Sequence, residues 1–247
     1  MQHELGIKLQ EEFKDLVFEP VEHTYHVGER KYRSVSSVVG LFHSHFDSEN
    51  VAIGYAKKHG YSKEQCLAAW EGEATIAANR GTIVHSFGEE YAKWRYFGEG
   101  VEPFPSCKQC LGIVQMFNQL PDFLIPIVFE LRMFSEEMSY CGTCDWLALD
   151  TRDGSLWLLD FKTNKSLFSE YDNGRMKYLT TYLKDENMSH YEVQLNLYAL
   201  LLEEKGYWIS NKVIIHLREQ EDKKLYKTYR CKDLTSEIKS LLPSVLK

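Results

Sequence analysis

The chain has 247 residues, of which 44% are hydrophobic and 13% aromatic, so it can bury a sizeable core without disulfides or a structural metal. Its net charge of −7 argues against a generally basic nucleic-acid-binding coat, although a local patch can still bind phosphate. No apolar run approaches the ~20 residues of a membrane span, and the N-terminus does not resemble a signal peptide. We therefore expect a soluble, intracellular protein whose six cysteines are reduced.

The first part of the chain predicts a hairpin followed by helices. Residues 23–34 place two polar-aromatic runs around a Gly-Glu turn, which is typical of a short β-hairpin. Helices are expected over three stretches: 34–43, 52–58 and 62–70. Ser62 and Gln65 have the spacing of a capping box at the start of the last one.

The middle of the chain predicts a helix and an antiparallel meander. Apolar residues recur at helical spacing over 74–96, and glycines and prolines then break the pattern. Three strands are expected: 125–134, 140–150 and 156–162. An Asp-Gly pair at 153–154 is a strong hairpin signal between the last two strands.

The C-terminal part predicts a long loop, a helix and two strands. Residues 163–188 show little periodicity and are long enough to be a functional loop. A helix is expected next, begun by a capping box of Ser189 and Glu192 and ended by Gly206. Strands at 212–217 and 225–231 and a closing helix at 234–246 complete the chain.

The order of elements predicts one α/β domain over 1–247. Its parts would be an N-terminal hairpin with helices (1–73), a core of helix, three strands, helix and strand (74–218), and a C-terminal strand with a helix (219–247).

Two carboxylates and a lysine are predicted to meet at the end of the meander. Asp160 and Lys162 share one face of a strand, while Phe161 points into the core. Asp145 on the partner strand can converge with Asp160 and supply oxygen ligands for Mg²⁺ or Mn²⁺. Taken alone, an Asp-x-Lys tripeptide is more often a simple surface ion pair.

Two further polar residues have functional and ordinary interpretations. His85 lies on a predicted helix between Gly81 and Gly88, where a ligand or another backbone can approach, but a lone helical histidine is commonly structural. Gln194 lies on the same helical face as Tyr198 within an apolar stripe, so its amide requires a partner or an edge position that reaches solvent.

Together these segments resemble a known family. The run Arg80 to His85, the Gly-x-x-Asp ending at Asp145, Asp160-Phe161-Lys162, and the Gln-x-x-x-Tyr from Gln194 to Tyr198 occur in the order found in the RecB-like branch of the PD-(D/E)xK nucleases. The opening hairpin is also similar to that of phage-encoded members and of mitochondrial exonucleases of genome maintenance. The resemblance extends from about 23 to about 216.

The resemblance implies a restriction-endonuclease-like α/β core and a role for each matched residue. Metal ligands would be His85, Asp145, Asp160 and the backbone carbonyl of Phe161, with Mg²⁺ or Mn²⁺ as the cofactor. Lys162 would act on the attacking water. Gln194 and Tyr198 would steady the lysine or contact DNA. Glu130 matches a position that is often acidic in this branch, although an ordinary strand-edge glutamate is an equal alternative.

The cysteines do not match the iron-sulfur members of the branch, because only Cys231 follows the Gln-x-x-x-Tyr helix. A zinc site at Cys107-x-x-Cys110 or Cys141-x-x-Cys144 is a weaker alternative. Cys141 and Cys144 would face opposite sides of a strand unless it bulges.

Three functions follow as hypotheses. The first is an exonuclease that degrades single-stranded or end-bearing duplex DNA, in repair or recombination. The second is a nicking or structure-selective endonuclease on the same core, and the third is an inactive DNA-binding module. DNA contacts are expected from Arg80 and, in the 163–188 loop, from four residues that supply cations and an aromatic ring: Lys165, Arg175, Lys177 and Tyr178.

Overall fold

The computed structural model describes residues 2–22, 24–44, 46–169, 174–178, 181–219 and 224–246. The strands within them are β1 (Val17–Glu19), β2 (Thr24–Val27), β3 (Arg30–Ser34), β4 (Leu124–Ser135), β5 (Tyr140–Asp150), β6 (Leu156–Lys162), β7 (Ile209–Leu217) and β8 (Tyr226–Arg230). The helices are α1 (Gln2–Glu12), α2 (Val35–Val39), α3 (Ser48–His59), α4 (Lys63–Ala92), α5 (Lys108–Asn118), α6 (Asn187–Glu204) and α7 (Thr235–Val245). Parts of the 163–188 loop, and His23 of the predicted hairpin, lie outside the described residues.

One mixed sheet contains these strands. Neighbours follow the order β1-β2-β3-β5-β6-β7-β8, and β4 pairs with β5 from end to end. The predicted meander is confirmed, since β4, β5 and β6 are antiparallel neighbours. In contrast, β3 runs parallel to β5, and β6 parallel to β7. The N-terminal hairpin is therefore part of the main sheet, and the fold is mixed α/β.

Helices cover both faces of the sheet and create two cores. One core joins α1, α2, α6 and α7 to side chains such as Leu147 and Leu158. The other joins α4 and α5 to side chains such as Trp146 and Phe161. Because side chains alternate along β6, Asp160 belongs to the α6 side and Phe161 to the α4 side, as the sequence predicts.

The helix α4 is longer than the sequence predicts. Ser62 and Gln65 form the expected capping box, with each side chain accepting the other's backbone N–H. The helix then continues to Ala92, so the prediction of two separate helices is wrong. Gly72 lies in the joining turns, where it is exposed and no neighbour lies within 4 Å of an added Cβ. An exposed helical glycine weakens a helix by only about 1 kcal/mol, which is too little to end it.

The predicted capping box of α6 is also wrong. The helix begins at Asn187, two positions before Ser189, and Ser189 is buried within its first turn. The carboxylate of Glu192 instead accepts the backbone N–H of Lys232, a tertiary contact that a local pattern cannot reveal. The end of the helix is as expected, since Gly206 follows it with φ of 84°.

The helix α5 packs beside α4 and against β7 and β8, and it has no counterpart among the predicted elements. Its buried face includes Ile113 and Phe117, which pack beneath Phe161 in the second core. None of the helices in the described ranges is both long enough and apolar enough to cross a membrane.

Candidate active site

A row of three carboxylates crosses the meander. The β4–β5 register pairs Phe129 with Trp146 and Leu131 with Cys144, which sets Glu130 opposite Asp145. The β5–β6 pairing ends at Trp146 with Leu159, so Asp160 lies one step further, beside Asp145. Glu130 has φ of 48°, an uncommon conformation for a non-glycine residue inside a strand. Like charges on adjacent strands repel, so this row is unfavourable unless cations compensate it.

Asp145 occupies the point where β5 and β6 separate. Its Oδ2 atom accepts the backbone N–H of Phe161 at 2.6 Å, which takes the place of a strand-to-strand hydrogen bond. The same oxygen lies 3.3 Å from Nδ1 of His85 on α4. The close approach of α4 is helped by Gly88, because an added Cβ there would lie 3.1 Å from the Phe161 ring. His85 is thus brought to the carboxylates, as the sequence predicts.

Asp160 and Lys162 form a buried ion pair. The Lys162 Nζ atom lies 2.6 Å from Asp160 Oδ2, and the two side chains are only 13% and 3% exposed. The interpretation of Asp-x-Lys as a simple surface pair therefore fails. The shared face of Asp160 and Lys162 is buried because α6 packs against β6.

Two residues that support Lys162 were not identified from the sequence. The Lys162 ammonium lies 4.4 Å from the ring centroid of Tyr191, a favourable cation–π contact. The Tyr191 hydroxyl donates to Asn164 Oδ1, just beyond β6. Tyr191 belongs to the apolar stripe of α6, and its position three residues before Gln194 places it on the same helical face.

Gln194 and Tyr198 form a pair on α6. Gln194 Nε2 donates to the Tyr198 hydroxyl at 3.1 Å, which supplies the partner that its amide requires. The Tyr198 ring packs against Gly142 of β5, where an added Cβ would lie 2.6 Å from Cε1. The glycine of the Gly-x-x-Asp run therefore makes room for the tyrosine of the Gln-x-x-x-Tyr run. The ammonium group of Lys162 lies over the ring of Tyr191.

The protonation of the cluster shows the effect of crowded charges. Burial raises the pKa of Glu130 to about 8, and the Asp145 carboxylate adds to the rise. Burial and Asp145 also raise the pKa of Asp160 to about 6, against the opposing effect of Lys162. Burial lowers the pKa of His85, but Asp145 and Asp160 outweigh it and raise the pKa to about 9. Burial opposes ionisation of Asp145, yet His85 and Lys162 outweigh it and lower its pKa.

The donor set fits a divalent cation. Ligand atoms of His85, Glu130 and Asp145 all lie within 4.8 Å of one another. The Oδ2 atom of Asp160 is buried. Its ion-pair partner is Lys162, but no group in the described ranges gives it a hydrogen bond of good geometry. One imidazole beside carboxylate oxygens suits Mn²⁺ as well as Mg²⁺. Glu130 is only an additional candidate by sequence, whereas its ligand atom lies with those of His85 and Asp145 in the structure.

One cleft reaches the cluster through Glu130, and a second lies near it, lined by Gly81 and Thr163. The first, of about 670 Å³, is lined by Glu130 together with the cations Lys14, Lys93 and Arg132. The second, of about 960 Å³, is lined by Trp70, Arg80 and Lys165. Arg80, in the lining of the second cleft, also forms an ion pair with Glu219.

The remaining predicted DNA-contacting residues lie elsewhere in the loop. Arg175 forms an isolated β-bridge with Lys184. The Lys177 backbone N–H donates to Phe42, and the exposed Tyr178 ring packs edge-on against Phe42. Lys177 and Tyr178 therefore contact the segment after α2, whereas Arg175 pairs within the loop, and none of these contacts involves the carboxylate row.

The cysteine alternative receives no support. All six cysteines are free thiols, and burial raises the pKa of Cys141 to about 12, which opposes the thiolate that zinc requires. Cys107 and Cys110 are close, with their sulfur atoms 3.3 Å apart, but no His, Asp or Glu of the described chain joins them in a metal-binding group.

Comparison with known proteins leaves the family open. No protein-family model matches the chain, and no curated protein matches it. Among solved structures, the chain is similar to a protein called SSO0001, with TM-score 0.34 and 13% identity over 98% of this chain and 85% of that chain. It is also similar to a "putative exonuclease" from Eubacterium rectale, with TM-score 0.38 and 12% identity over 87% of this chain and 80% of that one. Likenesses this low do not establish a function.

Proposed function

We propose that the chain carries a nuclease centre of the PD-(D/E)xK type. The observation that carries the proposal is that His85, Glu130 and Asp145 bring ligand atoms together where β5 and β6 separate, beside the buried Asp160–Lys162 ion pair. A structural role would not require three adjacent acids, two of them with raised pKa values, at the cost of their mutual repulsion.

The particular activity that we propose is metal-dependent hydrolysis of DNA, with the chain acting as an exonuclease. His85, Glu130, Asp145 and Asp160, with the carbonyl of Phe161, would hold Mg²⁺ or Mn²⁺. When bound, the ion would supply Lewis-acid stabilisation of charge on the scissile phosphate and orientation of the attacking water.

The protein's own groups have separable tasks in this scheme. Asp160 and Asp145 raise the pKa of Lys162 despite its burial, so it remains an ammonium that can orient water and stabilise charge on phosphate oxygens. The Tyr191 ring holds that ammonium from the α6 side. The Phe161 N–H fixes the Asp145 carboxylate. Gln194 and Tyr198 maintain the packing of α6 on β5.

The two clefts support DNA as the substrate. Lys14, Lys93 and Arg132 line one cleft and Arg80 and Lys165 the other, and phosphates could compete for the cations that now pair with Glu11, Glu89 and Glu219. A strand that crosses the cluster from one cleft to the other would meet cations on both sides. The loop residues Arg175, Lys177 and Tyr178 would extend the contact beyond the site.

The test is an assay with end-labelled single-stranded DNA, end-labelled duplex DNA and a covalently closed circle, each with Mg²⁺, Mn²⁺ or chelator. We expect ion-dependent loss of the linear substrates from their ends and survival of the circle. Cutting of the circle would support the endonuclease alternative. If every substrate survives with both ions, the chain is not a deoxyribonuclease.

A further inference from the structure

A second group of metal-ligating side chains lies apart from the carboxylate row. Ligand atoms of His43, Asp185 and His190 all lie within 4.8 Å of one another. His43 follows α2, Asp185 precedes α6, and His190 lies in the first turn of α6. None of these residues belongs to the group around His85, so this cluster needs its own explanation.

Backbone groups hold two members of this cluster through hydrogen bonds of the kind that commonly support metal ligands. His43 Nδ1 lies 2.9 Å from the carbonyl oxygen of Ser44, which leaves Nε2 as the free ligand atom. Asp185 Oδ2 accepts the backbone N–H of Ser44, so its Oδ1 atom faces the imidazoles. Metal-bound histidines commonly donate their other ring N–H to a carbonyl, and metal-bound carboxylates are commonly hydrogen-bonded in turn.

The two imidazoles are also held close together. Their ring centroids are 4.1 Å apart with 20° between the planes. His190 Nε2 lies 2.6 Å from Asp185 Oδ1. Burial lowers the pKa of His190, although the contact with Asp185 opposes this effect. A plain hydrogen-bonded pair would explain Asp185 and His190, but it leaves out His43, whose ring stacks on His190. Imidazole lone pairs lie in the ring plane, so one of the two rings must turn for both to bind the same ion.

We propose that His43, Asp185 and His190 bind a second divalent transition-metal ion, Zn²⁺, at a site separate from the nuclease centre. Two imidazole nitrogens and one carboxylate oxygen are a zinc donor set, whereas Mg²⁺ prefers oxygen ligands alone. Three protein ligands leave a fourth position for water. The cluster lines a cleft of about 570 Å³ from which that water can come.

The position of the site gives it a role in organising the loop after β6. The ion would join the segment after α2 to the residues that begin α6. The next residue along the helix is Tyr191, whose ring holds Lys162 and whose hydroxyl bonds Asn164. Zinc binding therefore fixes the helical turn that supports the lysine, while the proposal itself holds whether or not the chain cleaves DNA.

The test is the zinc content of the chelator-stripped, reconstituted full chain, measured by mass spectrometry after dialysis against Zn²⁺. Because the His85 centre can also take Zn²⁺, the comparison is made in a His85→Ala background. We expect this parent to retain one equivalent and to show the intense visible absorption of tetrahedral Co²⁺ when cobalt replaces zinc. Adding His43→Ala should remove both signals and weaken Zn²⁺ binding at least about a hundredfold.

Two further variants distinguish loss of a metal ligand from loss of the fold. Asp185→Asn keeps an acceptor for Ser44 but removes the anionic ligand, so it should lose zinc while circular dichroism stays unchanged. His59→Ala alters an exposed histidine that stacks on Tyr55 outside both clusters, and it should keep the parent's zinc. Parental zinc content and affinity in a folded Asp185→Asn protein would overturn the proposal, as would a parent that binds none.

Discussion

Replacement of Gly142 by alanine tests how β5 and α6 pack at the site. An added Cβ would lie 2.6 Å from Tyr198 Cε1 and 3.1 Å from Val35 Cγ2. The first distance is shorter than real Cβ contacts, so one of these groups must move. Tyr198 is only 5% exposed and Val35 only 1%, and the β-branched Val35 has one strongly preferred rotamer in a helix, so neither can move freely.

The cost of this replacement follows from its overpacking. Extra carbon in a well-packed core typically costs about 1–3 kcal/mol, so we expect the free energy of unfolding to fall by that amount. The assay is urea denaturation monitored by tryptophan fluorescence. Gly72→Ala is the matched control, since nothing lies within 4 Å of its Cβ and an exposed helical alanine should stabilise by about 1 kcal/mol.

A double-mutant cycle identifies the clashing partner. Tyr198→Leu removes the ring carbon that an alanine at Gly142 would meet. The two changes together should therefore destabilise less than the sum of the single changes, with a coupling of about 0.5–3 kcal/mol. A Gly142→Ala protein as stable as the parent, or strict additivity in the cycle, would refute the packing argument.

Three further predictions concern the metal and the DNA. His85→Ala should reduce cleavage more strongly with Mn²⁺ than with Mg²⁺, because Mn²⁺ tolerates an imidazole ligand better. If the variant cleaves DNA as fast as the parent with both ions, His85 has only a structural role. The pKa values of about 8 at Glu130 and about 9 at His85 lie above neutrality, so both groups hold protons at pH 7 that a cation must displace. Affinity for Mg²⁺ should therefore rise with pH up to about 9, with proton release in calorimetry, and a pH-independent affinity would contradict this. Replacing Lys177 and Tyr178 by alanine should weaken single-strand binding and flatten its salt dependence without altering metal affinity, and the parent's salt slope would exclude a DNA contact there.

The strands of the meander could be predicted from sequence because their signals are local. Apolar alternation and the Asp-Gly turn define β5 and β6, and both strands have the predicted bounds. Other elements depend on contacts from elsewhere in the chain. The Glu192 carboxylate accepts the backbone N–H of Lys232 instead of capping its own helix. The exposed Gly72 interrupts the apolar pattern of α4, but the helix continues through it. A prediction from neighbouring residues alone therefore misplaces the ends of these helices.

The sequence predicts which residue types form the site, but it does not predict how deeply they are buried or what packs against them. Spacing along strands placed Asp145, Asp160 and Lys162 together, yet it gave no sign that α6 buries the Asp160–Lys162 pair. Tyr191 was hidden among apolar neighbours because its role depends on where the Lys162 ammonium lies.

The second cluster had no sequence signal. His43 is separated from Asp185 and His190 by most of the fold, and only the packing of the segment after α2 on the start of α6 unites them.

The most direct test of the proposed nuclease is single-turnover cleavage of end-labelled DNA by the Asp160→Asn protein beside the parent. The amide keeps the size of the carboxylate but removes its charge, so the core between β6 and α6 should remain packed. We expect ion-dependent cleavage by the parent, none by the variant, and weaker Mn²⁺ binding by the variant in calorimetry. Cleavage by the variant at the parent's rate would contradict the assignment of the active site.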